Sequence, residues 1–146
     1  MRKLFYLLIV TLVLVSCGNG SKKKTGENQA EEIQSSIEAL YFHGAQRCIT
    51  CRAIEINTVP LLHRLYYKEK AVGKIIYKVI DISKKENEAI ADKYEVTWSS
   101  LFVNGWKDGK ENVNNMTESS FSSAKNAPDK FKEGIKSKID ELLKQL

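Results

Sequence analysis

The chain has 146 residues and a formal net charge of +5, with 42% hydrophobic and 28% charged residues. That length points to one domain with appendages rather than to two domains. Acidic residues are mixed among the basic ones, so the modest positive balance gives no reason to invoke nucleic acid as a partner.

Met1-Arg2-Lys3 is a short basic start, and Leu4 to Val15 is an almost unbroken apolar run. As a helix this run spans roughly 18 Å, short of the ~30 Å hydrocarbon core of a bilayer, so residues 1–16 read as a signal peptide rather than a membrane span. The run ends in Leu14-Val15-Ser16-Cys17, which resembles the bacterial lipobox. That resemblance implies that Cys17 is acylated and becomes the new N-terminus. The protein is then expected to be lipid-anchored in the bacterial cell envelope, facing the periplasm. The alternative is an ordinary secretory signal with a chance cysteine at its end. A lipidated Cys17 has no free thiol, which accounts for the odd count of three cysteines. Residues 17–36 are polar and rich in Gly and Ser, and read as a flexible tether. Within it, Lys22, Lys23 and Lys24 either touch anionic headgroups or form a solvated spacer.

The folded part is expected over residues 37–146. Ile37 to Phe42 is a β-prone run ending at His43-Gly44. From Cys48 to about Lys70, Ile54, Leu61, Leu62 and Leu65 form a helical stripe, which Pro60 is expected to bend or divide. Ile75 to Ile82 is a strand so continuously apolar that both its faces should be covered. Glu86 to Tyr94 reads as a short helix with Ser83 as its N-cap. Leu101 to Val103 is a second buried strand, Asp108-Gly109 a turn, and Glu111 to Met116 a weaker strand. A last helix begins at Pro128, with Asp129 in its first turn, and lines Phe131, Ile135, Ile139, Leu142 and Leu146 along one face. The order β-α-β-α-β-β-α describes an α/β domain, a central mixed sheet with helices on both faces.

The pair C-I-T-C, Cys48 and Cys51, falls directly after the first strand, where the first helix begins. Order and placement together resemble the thioredoxin fold over Ile37 to Leu146. The specific parts are Y-F-H-G-A-Q-R-C-I-T-C, the strand Y-K-V-I-D-I, and A-D-K-Y-E-V leading into S-S-L-F-V. More narrowly, Y-F-H-G…R-C-x-T-C is similar to small thioredoxin-like proteins labelled as nitrophenyl compound nitroreductase subunits of the ArsF type. The sequence carries no flavin- or nicotinamide-binding fingerprint, so that label does not establish nitroreductase chemistry, and no organic cofactor is required.

The chain departs from the thioredoxin pattern in three places. Thioredoxins carry a cis-proline opposite the active cysteines; here the position falls at Ser100, or at Ser99, and a trans peptide is expected. Many carry a buried acid six residues before the first cysteine, where this chain has Phe42. The helix proline, Pro60, also comes later than in the family.

The chemistry can be stated from the residues. A thiolate attacks a disulfide, so the attacking cysteine needs a depressed pKa, and a helix N-terminus supplies unpaired N–H groups and about half a positive charge. Cys48 is the expected nucleophile and Cys51, more buried, the resolving thiol. Arg47, with Arg52 and a protonated His43, would add to the favourable field, and Arg47 and Cys48 should sit on the exposed rim. Ser100 either offers a hydroxyl to the thiolate or is a plain loop serine; Trp98 either shields the site or packs. C-x-x-C in an exported chain is also compatible with a static disulfide or half a metal site. A closed zinc site takes four ligands, and there is no second cysteine pair. His63 lies about 18 Å past Cys51 along a straight helix and reads as an ordinary helix residue. His43 is the one candidate third ligand, and two thiolates with an imidazole would suit Cu(I).

The expected function is a membrane-anchored thiol–disulfide oxidoreductase that exchanges disulfides with client proteins and is reset by a second redox protein, with no resident metal. The alternatives are a Cu(I)-binding metallochaperone, a non-catalytic thioredoxin-like subunit of a larger reductase, or an interaction protein with a structural disulfide.

Overall fold

A computed structural model describes residues 35–146 of the chain. The signal peptide, Cys17 and the tether up to residue 34 lie outside the described residues. The elements follow as β1 (Ser35–His43), α1 (Ile49–Leu65), α2 (Tyr67–Ala71), β2 (Ile75–Asp81), a 3-10 turn at Lys85–Asn87, α3 (Glu88–Lys93), β3 (Ser100–Lys107), β4 (Lys110–Asn112), α4 (Thr117–Ser123) and α5 (Pro128–Leu143). β1 takes in Ser35 and Ser36, which the sequence places in the tether.

The sheet runs β2-β1-β3-β4. β1 and β2 are parallel, with Ala39 opposite Tyr77. β3 runs antiparallel to β1, with Ala39 opposite Val103, and β4 antiparallel to β3. A parallel β-α-β half, a hairpin and a closing helix in this strand order make the fold thioredoxin-like, with the central strands covered on both sides. Strand alternation divides the core. Ile37, Ala39 and Tyr41 of β1, with Leu101 and Val103 of β3, face Ile54 and Leu62 of α1 and Ile135 and Ile139 of α5. Leu40, Phe42 and Phe102 point the other way, towards Ile80, Val96 and the partly buried Ile90 and Tyr94. Each fully buried large side chain contributes about 1.5–3 kcal/mol, so β1, buried on both faces, anchors the domain.

β2 overturns one expectation. Its apolar run predicts a doubly covered strand, yet it lies at the sheet edge and leaves Val79 42% exposed. Of the two outcomes expected at Pro60, division does not occur. The proline sits inside α1, on the solvent face, where water can reach the carbonyl whose helical bond is missing. The helix breaks instead at Tyr66, whose ring is buried and whose hydroxyl donates to Asp140 Oδ1 at 2.7 Å. Ser83 is not the cap of α3: its amide and hydroxyl both bond Asp81 Oδ1, and α3 starts after Asn87 with no side-chain cap.

Asp108 and Gly109, both at positive φ, form the expected two-residue turn between β3 and β4. β4 stops at Asn112, short of Met116, but the chain continues beside β3 through bonds from Val103 N to Asn114 O and from Met116 N to Leu101 O. Asn104, fully buried in β3, directs this return: its side chain accepts from Asn114 N and donates to Glu111. Gly105 is needed where α5 crosses β3, since a Cβ there would meet Leu142 Cδ2 at 3.0 Å. α4, which the sequence does not announce, fills the space before α5.

Glu111 ties the hairpin to α3, accepting from Lys93 at 2.7 Å, from the Tyr94 hydroxyl and from Asn104. Burial pushes its carboxyl up, but Lys93 and Tyr94, with Asn104, more than reverse this, and the group is held below its usual value. A carboxyl lowered by folding stabilises the fold above its unfolded pKa, about 4.3, and that contribution fades as the pH falls through the lower folded value. Glu111→Gln should therefore lower stability at neutral pH and flatten its decline below about pH 4.3, as read by urea unfolding at stepped pH.

Candidate functional site

Cys48 occupies the N-cap of α1 with extended backbone, φ −68° and ψ 168°. That conformation turns its sulfur back over the first turn, where Sγ accepts the Cys51 N–H at 3.1 Å. An N-cap acceptor satisfies one of the amides that a helix start leaves without a partner, and the same donors stabilise negative charge on the sulfur. No acidic residue lies in the first turn to oppose this. Cys48 is exposed, while Cys51, one turn on, is 5% exposed and faces the sheet. The sulfurs are at disulfide distance, with Cα atoms 5.0 Å apart. The pair opens the helix as expected, the leading sulfur towards solvent and the second inward.

Other expected site residues are placed differently. Arg47 does not stand free on the rim. It bends back over the Tyr41 ring, 5.4 Å from the centroid, and binds Glu55 Oε2 at 2.5 Å. Ser100 does not face the cysteines: it shares the side of Phe102, donates to the Trp98 carbonyl at 3.1 Å, and lines a cleft of about 620 Å³ with Tyr94, Val96, Trp98 and Phe121. The serine on the dithiol side is its neighbour Ser99. Trp98 is 58% exposed and packs on Phe121 with ring centroids 5.3 Å apart, at that cleft rather than over the dithiol. No cis peptide bond occurs among the described residues.

His43 ends β1, with Nδ1 2.9 Å from the Gly44 carbonyl. Among the described residues no three His, Cys, Asp or Glu side chains converge as a metal site would require, so His43 does not complete a ligand set with Cys48 and Cys51. His63 is exposed along α1.

Sequence reasoning missed the polar floor of the site. Tyr41 donates its hydroxyl to the Cys51 carbonyl at 2.7 Å. Burial pushes its phenol up, against the pull of Arg47 and, more weakly, Ser99. Phe42, which holds the position of the thioredoxin acid by counting, lies on the opposite face of the sheet, so Tyr41 is the polar group beneath the second cysteine. The signal was available: Tyr41 shares the odd-numbered face of β1 with Ile37 and Ala39, and Glu55 stands four residues past Cys51 on the same helix.

No protein-family model matches the chain, and no curated protein matches it. It is similar to a solved structure described as "Structure of a malarial protein", at 19% identity, with 67% of this chain and 96% of that chain covered and a TM-score of 0.40. Strand order and register define a thioredoxin-like α/β domain, and its Cys48–Cys51 pair at the start of the first helix has the arrangement of a redox-active dithiol.

Proposed function

We propose that the protein is a thiol–disulfide oxidoreductase of the bacterial cell envelope, held by a lipid on Cys17, that exchanges disulfides with client proteins. The observation that supports it is the exposed Cys48 sulfur at the N-cap of α1, accepting the amide of a buried Cys51.

In the reducing direction the Cys48 thiolate attacks one sulfur of a client disulfide. That S–S bond breaks, the departing client thiolate takes up a proton, and a mixed disulfide forms. Cys51 then loses its proton and attacks the Cys48 sulfur, expelling the second client thiol. Two electrons have passed to the client, and the Cys48–Cys51 disulfide is left for a dithiol protein to reduce by the same exchange. The helix-start amides lower the barrier to the first attack by favouring the anionic sulfur.

Cys51→Ser should stop the cycle at the first stage. Incubated with an oxidised protein substrate, this variant is expected to accumulate a thiol-sensitive adduct through Cys48, seen by intact mass. Complete absence of the adduct would count against the assignment. The anchoring part has its own test: in a bacterial host, labelled palmitate should enter the wild-type chain and not Cys17→Ala, and equal labelling of the two defeats it.

A further inference from the structure

We propose that the Arg47–Glu55 ion pair is a tuning device for the dithiol, with Glu55 a positioning residue that commits the charge beside the leading cysteine to a carboxylate. The proposal rests on the oxidoreductase reading.

The two partners bracket the dithiol. Arg47 immediately precedes Cys48, and Glu55 lies one turn beyond Cys51 on α1. They meet at 2.5 Å with side chains 23% and 31% exposed, so the pair is partly shielded from solvent. The guanidinium lies over the Tyr41 ring, and the Tyr41 hydroxyl grips the Cys51 carbonyl, so one set of contacts runs from the cation before the first cysteine to the backbone of the second. Arg47 Nε is buried without a partner, so the side chain is held by its one carboxylate contact and by the ring.

Tyr41 comes from β1 and Tyr77 from β2, His43 at the end of β1 packs on the Tyr41 ring with centroids 6.0 Å apart, and Arg52 of α1 lines the same surface hollow as Arg47 and Glu55. Burial pushes both phenols up, and for Tyr77 Glu55 pushes the same way, so neither tyrosine carries charge near neutral pH. The permanent charges around the pair are therefore Arg47 and Arg52 against Glu55. With the pair intact, the Cys48 thiolate feels the helix start and little of Arg47. Without Glu55 it feels an uncompensated cation; without Arg47, an uncompensated carboxylate. Added positive charge stabilises the reduced, anionic sulfur and makes the couple more oxidising, and added negative charge does the reverse.

The test uses Glu55→Gln, Arg47→Gln, the double variant and Arg47→Lys, each checked for folding by circular dichroism. Two quantities are read: Cys48 acidity, from thiolate absorbance against pH, and the equilibrium constant with glutathione. Glu55→Gln should raise Cys48 acidity and Arg47→Gln lower it, each by about three- to tenfold, with the glutathione equilibrium moving in opposite directions. A tenfold change corresponds to about 30 mV. The double variant should return towards wild type, and Arg47→Lys should stay close to it. Loosened packing would move both single variants the same way. Same-direction shifts, or none in either, overturn the proposal. Opposite acidity shifts uphold it even where client reduction is absent, in which case the oxidoreductase reading is what fails.

Discussion

Cys48→Ser is expected to remove protein-disulfide reductase activity, by at least ~10³-fold, while leaving the fold intact. The size follows from the chemistry of the attacking atom. A serine hydroxyl is far too weakly acidic to be ionised near neutral pH at a helix start, and it would form no S–S intermediate for Cys51 to resolve. The selectivity follows from the cap. Cys48 closes the start of α1 by accepting the Cys51 N–H, and serine is among the best residues for that task. Compared in the reduced state, the variant should therefore unfold at the same urea concentration as wild type or slightly above it.

That combination makes the substitution discriminating. Many active-site changes lower turnover because the site collapses, whereas here the geometry has a built-in substitute for the sulfur's structural role. Turnover is to be followed with an oxidised protein substrate and excess small-molecule thiol, beside a urea titration of both proteins. A variant that retains wild-type turnover would show that Cys48 is not the nucleophile. A variant that loses both activity and stability would show that the sulfur does more than cap.

The sequence made the layout of the fold legible because the strongest periodic signals are also the most buried elements. The run before His43 and the stripe Phe131, Ile135, Ile139, Leu142 both lie in the core as their spacing implies. The cysteine pair could be placed at a helix start because strand, loop and helical stripe follow one another without ambiguity. What stayed hidden has physical reasons. α4 is Thr-Glu-Ser-Ser-Phe-Ser-Ser, a composition that favours turns. It is helical because Phe121 packs against the core, which outweighs the serine hydroxyls of Ser120 and Ser123 bonding the carbonyls of Met116 and Ser119 one turn back. β2 reads as a central strand because hydropathy reports how apolar a strand is and not how many neighbours it has. Arg47 reads as a rim cation because counting along the chain cannot show a side chain folding back to Glu55. Ser99 ends the loop and Ser100 opens β3, so an uncertainty of one residue at that junction changes which of them faces the dithiol.

The same one-residue logic gives the largest stability effect, at Phe42. Its side chain is fully buried on the α3 side of β1, edge-on to Phe102 with centroids 5.8 Å apart and 5.7 Å from Tyr94. Around it stand only Leu40, Ile80, Val96 and a few partly buried side chains, and this smaller cluster has little means of closing over a void. The backbone beneath Phe42 cannot move to help, being bonded to β2 on one side and β3 on the other. Phe42→Ala is therefore expected to cost about 3–5 kcal/mol, transfer and cavity terms together. The urea midpoint should fall with little change in slope. The folded fraction should nonetheless keep its dithiol unaltered, because Phe42 points away from α1 and touches neither cysteine. A reduction potential matching wild type, in a protein several kcal/mol less stable, is the expected pair of results. A shifted potential with little loss of stability would instead mean that Phe42 lies on the dithiol face, and the register of β1 described above would be wrong by one residue.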